Sequence, residues 1–278
     1  MAALSLRRLS LQTPLQFPEI EITDSKVAAY LPRVKKSGLA GRIKLNLNTD
    51  PKDIPELEEL LGLLTEQNCE LCQLTFKHDF RYPSASCTPL DPALTKALQS
   101  CPIRKFWGQL SGEALAAVPE TVVDLYISIG SEKHYVQVSS ELSSIMEKLP
   151  RLDDLQIHLA AHVDVSLLKP LPGSDILYLY LSNVSDQNLD WAVRAAAAMQ
   201  PISGSQRFSA LRFPLCNFTE ESFKTFLEGL KREDVQFSSL WISSKNIPRL
   251  HHDTFRELTL DILGQDLILL NEIDIWRF

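Results

Sequence analysis

The 278-residue chain carries 28 lysines and arginines against 35 aspartates and glutamates, a net charge of -7, and 45% of its residues are apolar. That ordinary globular composition excludes a disordered or fibrous protein, and the acidic balance argues against a nucleic-acid binder, which presents a basic stripe. No apolar run approaches the roughly 20 residues that a membrane helix needs, so no membrane partner is expected.

In chain order, residues 1–16 are expected to form an N-terminal cap or extra strand through Leu6, Leu9 and Leu11. Arg7 and Arg8 break this stretch too early for a secretory leader. Two arginines without an acid also give residues 1–18 a loose likeness to a mitochondrial presequence.

From residue 17 one template recurs, apolar-x-x-apolar-x-apolar. It opens at Phe17-Ile20-Ile22 and returns, with Arg42 in the first slot, at Leu45 and Leu47. It continues at Leu71-Leu74-Phe76, Ile103-Phe106-Gly108, Val122-Leu125-Ile127 and Leu152-Leu155-Ile157. The last copies are Ile176-Leu179-Leu181, Phe208-Leu211-Phe213, Phe237-Leu240-Ile242 and Leu270-Ile273-Ile275. Alternation of this kind predicts strands, every second side chain facing one way.

Between the strands a second period appears. Val27, Tyr30, Leu31 and Val34 lie on one helical stripe, as do Leu57, Leu60, Leu61 and Leu64. The same spacing places helices at Leu94–Cys101, Leu142–Leu149 and Phe223–Leu230. Ser139-Ser140-Glu141, Ser185-Asp186 and Thr219-Glu220-Glu221 carry helix-start chemistry. Asp253, before Phe255 and Leu258, does the same near the C-terminus.

One strand and one helix about every 28 residues resembles a leucine-rich repeat. Phe208-Leu211-Phe213 with Cys216 in the final slot meets the family pattern best, whereas Gly130, Ala160 and Val184 depart from it. The chain is most similar to the ribonuclease-inhibitor-like and F-box-associated subtypes. The resemblance implies an α/β solenoid over residues 17–278 of about ten repeats, with a curved parallel sheet on the concave side and helices on the convex side. A doubly wound α/β enzyme is the competing fold. Its strands would be continuously apolar, whereas polar residues interleave here, as in Arg42-Ile-Lys-Leu-Asn-Leu-Asn48. No phosphate-binding glycine fingerprint follows any strand.

Chemistry-bearing motifs are sparse. Cys69 and Cys72, with Cys87 and Cys101, fit no strong zinc spacing and read as core thiols. His251 and His252 are adjacent, which makes a poor metal pair on a helix. Asn183-Val-Ser185 and Asn217-Phe-Thr219 match the glycosylation sequon but follow strands directly, where asparagine shapes the turn. Neither catalysis, a cofactor nor a metal is expected. Five cysteines suggest a reducing compartment, the cytoplasm first, with mitochondrion and nucleus as alternatives.

The residues between the apolar slots are expected on the concave face. Six of the ten Trp and Tyr residues fall there. Such side chains anchor protein interfaces because they bury a large area and keep a polar handle. The candidate partner-binding set is Trp107, Tyr126, Asp154, His158, Tyr178, Tyr180, Arg212, Trp241, Asp274 and Trp276. The expected function is a non-catalytic protein-binding scaffold in an adaptor, inhibitor or receptor-sensing role, the chain being a candidate C-terminal piece of a larger protein. The alternative is an α/β enzyme with a site its sequence does not display.

Overall fold

The computed structural model describes residues 19–37, 42–48, 53–54, 56–67, 71–76, 92–159, 162–171, 177–201, 207–214, 216, 218–243, 252–264 and 268–271. The expected cap at 1–16 lies outside them. The elements follow in the order β1 (Glu19–Thr23), α1 (Val27–Ser37), β2 (Arg42–Leu47), α2 (Leu57–Glu66), β3 (Leu71–Phe76) and α3 (Pro92–Ser100). Next come β4 (Ile103–Gly108), α4 (Gly112–Ala116), β5 (Asp124–Ile129), α5 (Glu132–Lys148) and β6 (Asp154–Leu159). The chain continues with β7 (Leu177–Leu181), α6 (Leu189–Met199), β8 (Ala210–Pro214), α7 (Glu220–Arg232), β9 (Leu240–Ser243), α8 (His252–Leu263) and β10 (Ile268–Asn271).

All the strands belong to one parallel sheet whose order, β1 to β10, is the order of the chain. Each strand therefore pairs only with its neighbours in sequence. A doubly wound sheet would reverse its strand order at some point, and this one does not. The apolar slots face the helices. Leu45, Leu74, Phe106, Leu125, Leu155 and Leu177 lie in cross-strand register, as do Ile157, Leu179, Leu211 and Leu240. All are buried in one continuous core with the predicted stripes of α1, α2, α5 and α7.

The helix ends refine the sequence reading. Thr219 caps α7 as expected, its hydroxyl accepting from Ser222 N while Ser222 Oγ accepts from Thr219 N. In α5 the expected start at Ser139–Glu141 is overturned. The helix begins at Glu132, where Ser131 Oγ accepts from His134 N, and Ser139 is interior, donating back to Val136 O. The stripe simply continues upstream through Tyr135 and Val138. Likewise α6 starts at Leu189, not at Ser185-Asp186. There Asn188 Oδ1 accepts from Ser185 N and closes the preceding turn. Asn183, in the left-handed region at φ 57°, makes the same turn, its carbonyl accepting from Asn188 Nδ2. Between β6 and β7 the described residues hold only a 3-10 turn, Val165–Leu167.

The last unit is displaced from its expected register. Ile268 pairs with Leu240 and Leu270 with Ile242, so Ile268 and Leu270, and not Ile273 and Ile275, stand opposite the second and third slots of β9. The polar Gln265 in the first slot hid this register, although it restores a spacing of 28 from Phe237. Asp274 and Trp276 lie outside the described residues.

Candidate functional site

The side chains between the apolar slots form a second face, distinct from the helix-packed core. Two cross-strand ladders run across it. One reads Thr75, Trp107, Tyr126, Gln156, Tyr178 and Ala210. The other reads Ser128, His158, Tyr180, Arg212, Trp241 and Leu269. Trp107, Tyr126 and Tyr180, with Tyr178 packed against them, form an aromatic cluster that contains no helix residue. Trp107 and Tyr126, paired on neighbouring strands, lie 6.5 Å apart, and Tyr126 of β5 and Tyr180 of β7 meet edge-on at 5.9 Å across β6.

The cluster is stitched by polar contacts. Lys105 Nζ donates to Asp124 Oδ2 at 2.9 Å and Trp107 Nε1 to Asp124 Oδ1 at 3.0 Å, so this buried carboxylate has both oxygens engaged. Tyr126 OH and His158 Nδ1 lie 2.6 Å apart, and His158 Nε2 contacts Ser182 Oγ. Tyr180 OH donates to Gln156 Oε1 at 2.6 Å and accepts from Arg212. The Arg212 guanidinium carbon stands 4.7 Å from the Tyr178 ring centre, 5.1 Å from Tyr180 and 5.0 Å from Trp241.

Burial divides the candidates. His158 is 0% exposed and Tyr126 and Tyr180 are each 1% exposed, so these three are framework and not contact surface in this conformation. Trp107 is also buried, whereas Asp154, Tyr178, Arg212 and Trp241 are half-buried. The alternation placed all eight on one face; it could not foresee that neighbouring large side chains on parallel strands cover one another.

Burial also shifts their proton affinities. It lowers the His158 imidazole to about 3, so the ring is neutral at pH 7. Burial, and then the Asp124 carboxylate facing it across the β5–β6 ladder, raises Asp154 to about 6. Its Oδ1 is buried without a hydrogen-bond partner. Asp154 therefore binds its proton more tightly folded than unfolded, and its contribution to stability is fully present below pH 3.8 and lost as pH rises through about 6. Asp154→Asn is expected to stabilise the protein at pH 7.5 by about 1 kcal/mol, allowing for solvent screening of a half-exposed group, and to change little at pH 4. Urea unfolding at both pH values checks this, and an equal effect at both would rule the carboxylate out as the cause.

Comparison with protein-family models and with curated proteins found no match. Function must therefore be argued from the site itself. The contacts Tyr126–His158–Ser182 follow the orienter–base–nucleophile order of acyl-transfer enzymes. Ser182, however, is 2% exposed behind a fully buried histidine, which leaves a substrate carbonyl no approach. Among the described residues no group of three His, Cys, Asp or Glu side chains could hold a metal ion, and no helix is long and apolar enough to cross a membrane. Cys72, Cys101 and Cys216 are buried; Cys72 Sγ donates to Ile43 O where β3 carries an extra residue opposite β2.

Proposed function

We propose that the chain is a diverged leucine-rich-repeat solenoid of about ten units that holds a protein partner on the second face of its sheet, in an adaptor, inhibitor or sensing role. The single observation that carries this reading is the half-buried group Tyr178–Arg212–Trp241, set beside a rigid, hydrogen-bonded aromatic floor. Three points support it. The sheet order follows the chain, as stacked repeats require. Aromatic and arginine side chains are the residues on which interface energy concentrates. The floor of Trp107, Tyr126, His158 and Tyr180 fixes their rotamers, which lowers the entropy lost on binding.

The test is quantitative affinity capture with the wild-type chain and a Tyr178→Ala/Trp241→Ala variant whose fold is verified by its amide NMR spectrum. Each truncation at an interface anchor is worth about 2 kcal/mol, so a partner held on this face is captured on the order of a thousandfold more weakly by the double variant. Undiminished capture of the same partner would move the contact to the helices or loops.

A further inference from the structure

The Arg212 guanidinium is unusual in how it is held. Three aromatic rings, two from β7 and one from β9, lie within 5.1 Å of its central carbon, and one N–H is spent on Tyr180 OH. Ring faces satisfy the charge but accept little from the in-plane N–H groups, of which a guanidinium has five in a fixed fork. Among the described residues, the other lysines of this face are paired with carboxylates: Lys105 with Asp124 and Lys44 with Glu19. No carboxylate lies within ion-pairing distance of Arg212 among the described residues.

Building on the binding face described above, we infer that Arg212 is the receptor for a carboxylate side chain, an aspartate or glutamate on a partner protein, which its fork takes in two parallel hydrogen bonds. The complementarity is specific. A single cation, with Asp154 on the same face and an overall charge of -7, suits a monoanion and disfavours a phosphate dianion. A chain-terminal carboxylate is normally seized by a nest of free backbone N–H groups, but β7, β8 and β9 pair on both sides and lock theirs in the ladder. Tyr178 and Trp241 flank the fork and offer flat apolar surface to the methylenes and neighbours of the incoming side chain.

The experiment uses the full chain with labelled arginine, following the Arg212 side-chain N–H signals by NMR. The probe is a capped pentapeptide, acetyl-Ala-Glu-Leu-Glu-Ala-amide, compared with its glutamine and phosphoserine counterparts. A saturable shift at Arg212 is expected for the glutamate peptide, at least tenfold tighter than for the glutamine peptide and tighter than for the phosphoserine peptide. Arg212→Lys, which keeps the charge and is the safer variant for folding, is expected to lose at least tenfold, and Arg212→Gln more. The inference is overturned if glutamine or phosphoserine serves as well, if Arg212→Lys binds like the wild type, or if about 10 mM glutamate peptide, well above a weak millimolar Kd, leaves Arg212 unmoved. A partner whose capture fails with Tyr178→Ala/Trp241→Ala but survives Arg212→Gln would refute the carboxylate and leave the binding face standing.

Discussion

Phe226→Ala is expected to cost about 3–5 kcal/mol of stability, a large share of the 5–15 kcal/mol that a typical domain possesses. Phe226 is fully buried on α7. Its ring meets Phe213 of β8 edge-on at 4.9 Å and stacks on Phe218 at 5.4 Å, while Phe223, one turn earlier, touches Phe255 of α8 at 4.5 Å. Truncation therefore removes both transfer energy and ring–ring contact, and it opens a cavity in the core. Phe226→Leu, which keeps most of the volume, should cost roughly 1–2 kcal/mol. Urea midpoints at constant slope give the numbers. Because each strand pairs only with its neighbours in sequence, hydrogen exchange should show protection failing first around β8, β9, α7 and α8, with β2 and β3 affected later. Simultaneous loss of protection from β2 to β9 would mean that the sheet opens as one unit and that the aromatic cluster has no local role.

That locality explains how much of the fold was legible in the sequence. Where a strand pairs only with the previous and next copies of the same pattern, short-range periodicity carries the topology: Leu211 next to Leu179 and Leu240 needs no long-range information. The signal failed where a slot holds a residue of the wrong polarity. Gln265 concealed the register that pairs Ile268 with Leu240 and Leu270 with Ile242. It failed again where an apolar stripe runs past a plausible cap, as Ser139 sits inside α5.

The site was half legible for a related reason. Alternation assigns a side chain to a face, and it put Trp107, Tyr126, His158, Tyr180 and Arg212 on the same one. Exposure on that face is a collective property. Large rings on adjacent parallel strands stand close enough to shield each other, so Tyr126 and Tyr180, which looked like anchors, became the floor. The pairing of Lys105 with Asp124 and of His158 with Ser182 was present in the row as neighbouring positions. Nothing in the sequence told which neighbours would be spent on each other.

His158 makes the buried half of that face a pH-dependent element. Unfolded, its imidazole titrates near 6.5; folded, burial holds it to about 3. Between those values the unfolded chain takes up a proton that the folded chain refuses. The stabilisation is complete above pH 6.5, falls with a slope approaching about 1.4 kcal/mol per pH unit on acidification, and levels off near pH 3. The full loss is on the order of 4–5 kcal/mol, and about 2 kcal/mol of it is gone at pH 5. His134, lowered by its burial against the smaller opposing pull of its contact with Leu110 O, acts in the same direction. Asp154 acts in the opposite direction, gaining stability as pH falls through about 6, so the measurement belongs in an Asp154→Asn background. There, His158→Gln is expected to be less stable than its parent at pH 7.5, because an amide fits the contacts to Tyr126 OH and Ser182 Oγ less well. It should nevertheless lose stability more slowly on acidification, the gap narrowing by about 2 kcal/mol between pH 7.5 and pH 5. Parallel curves for the two proteins in urea unfolding from pH 7.5 to pH 4 would show that the proton is taken up elsewhere and that His158 is silent.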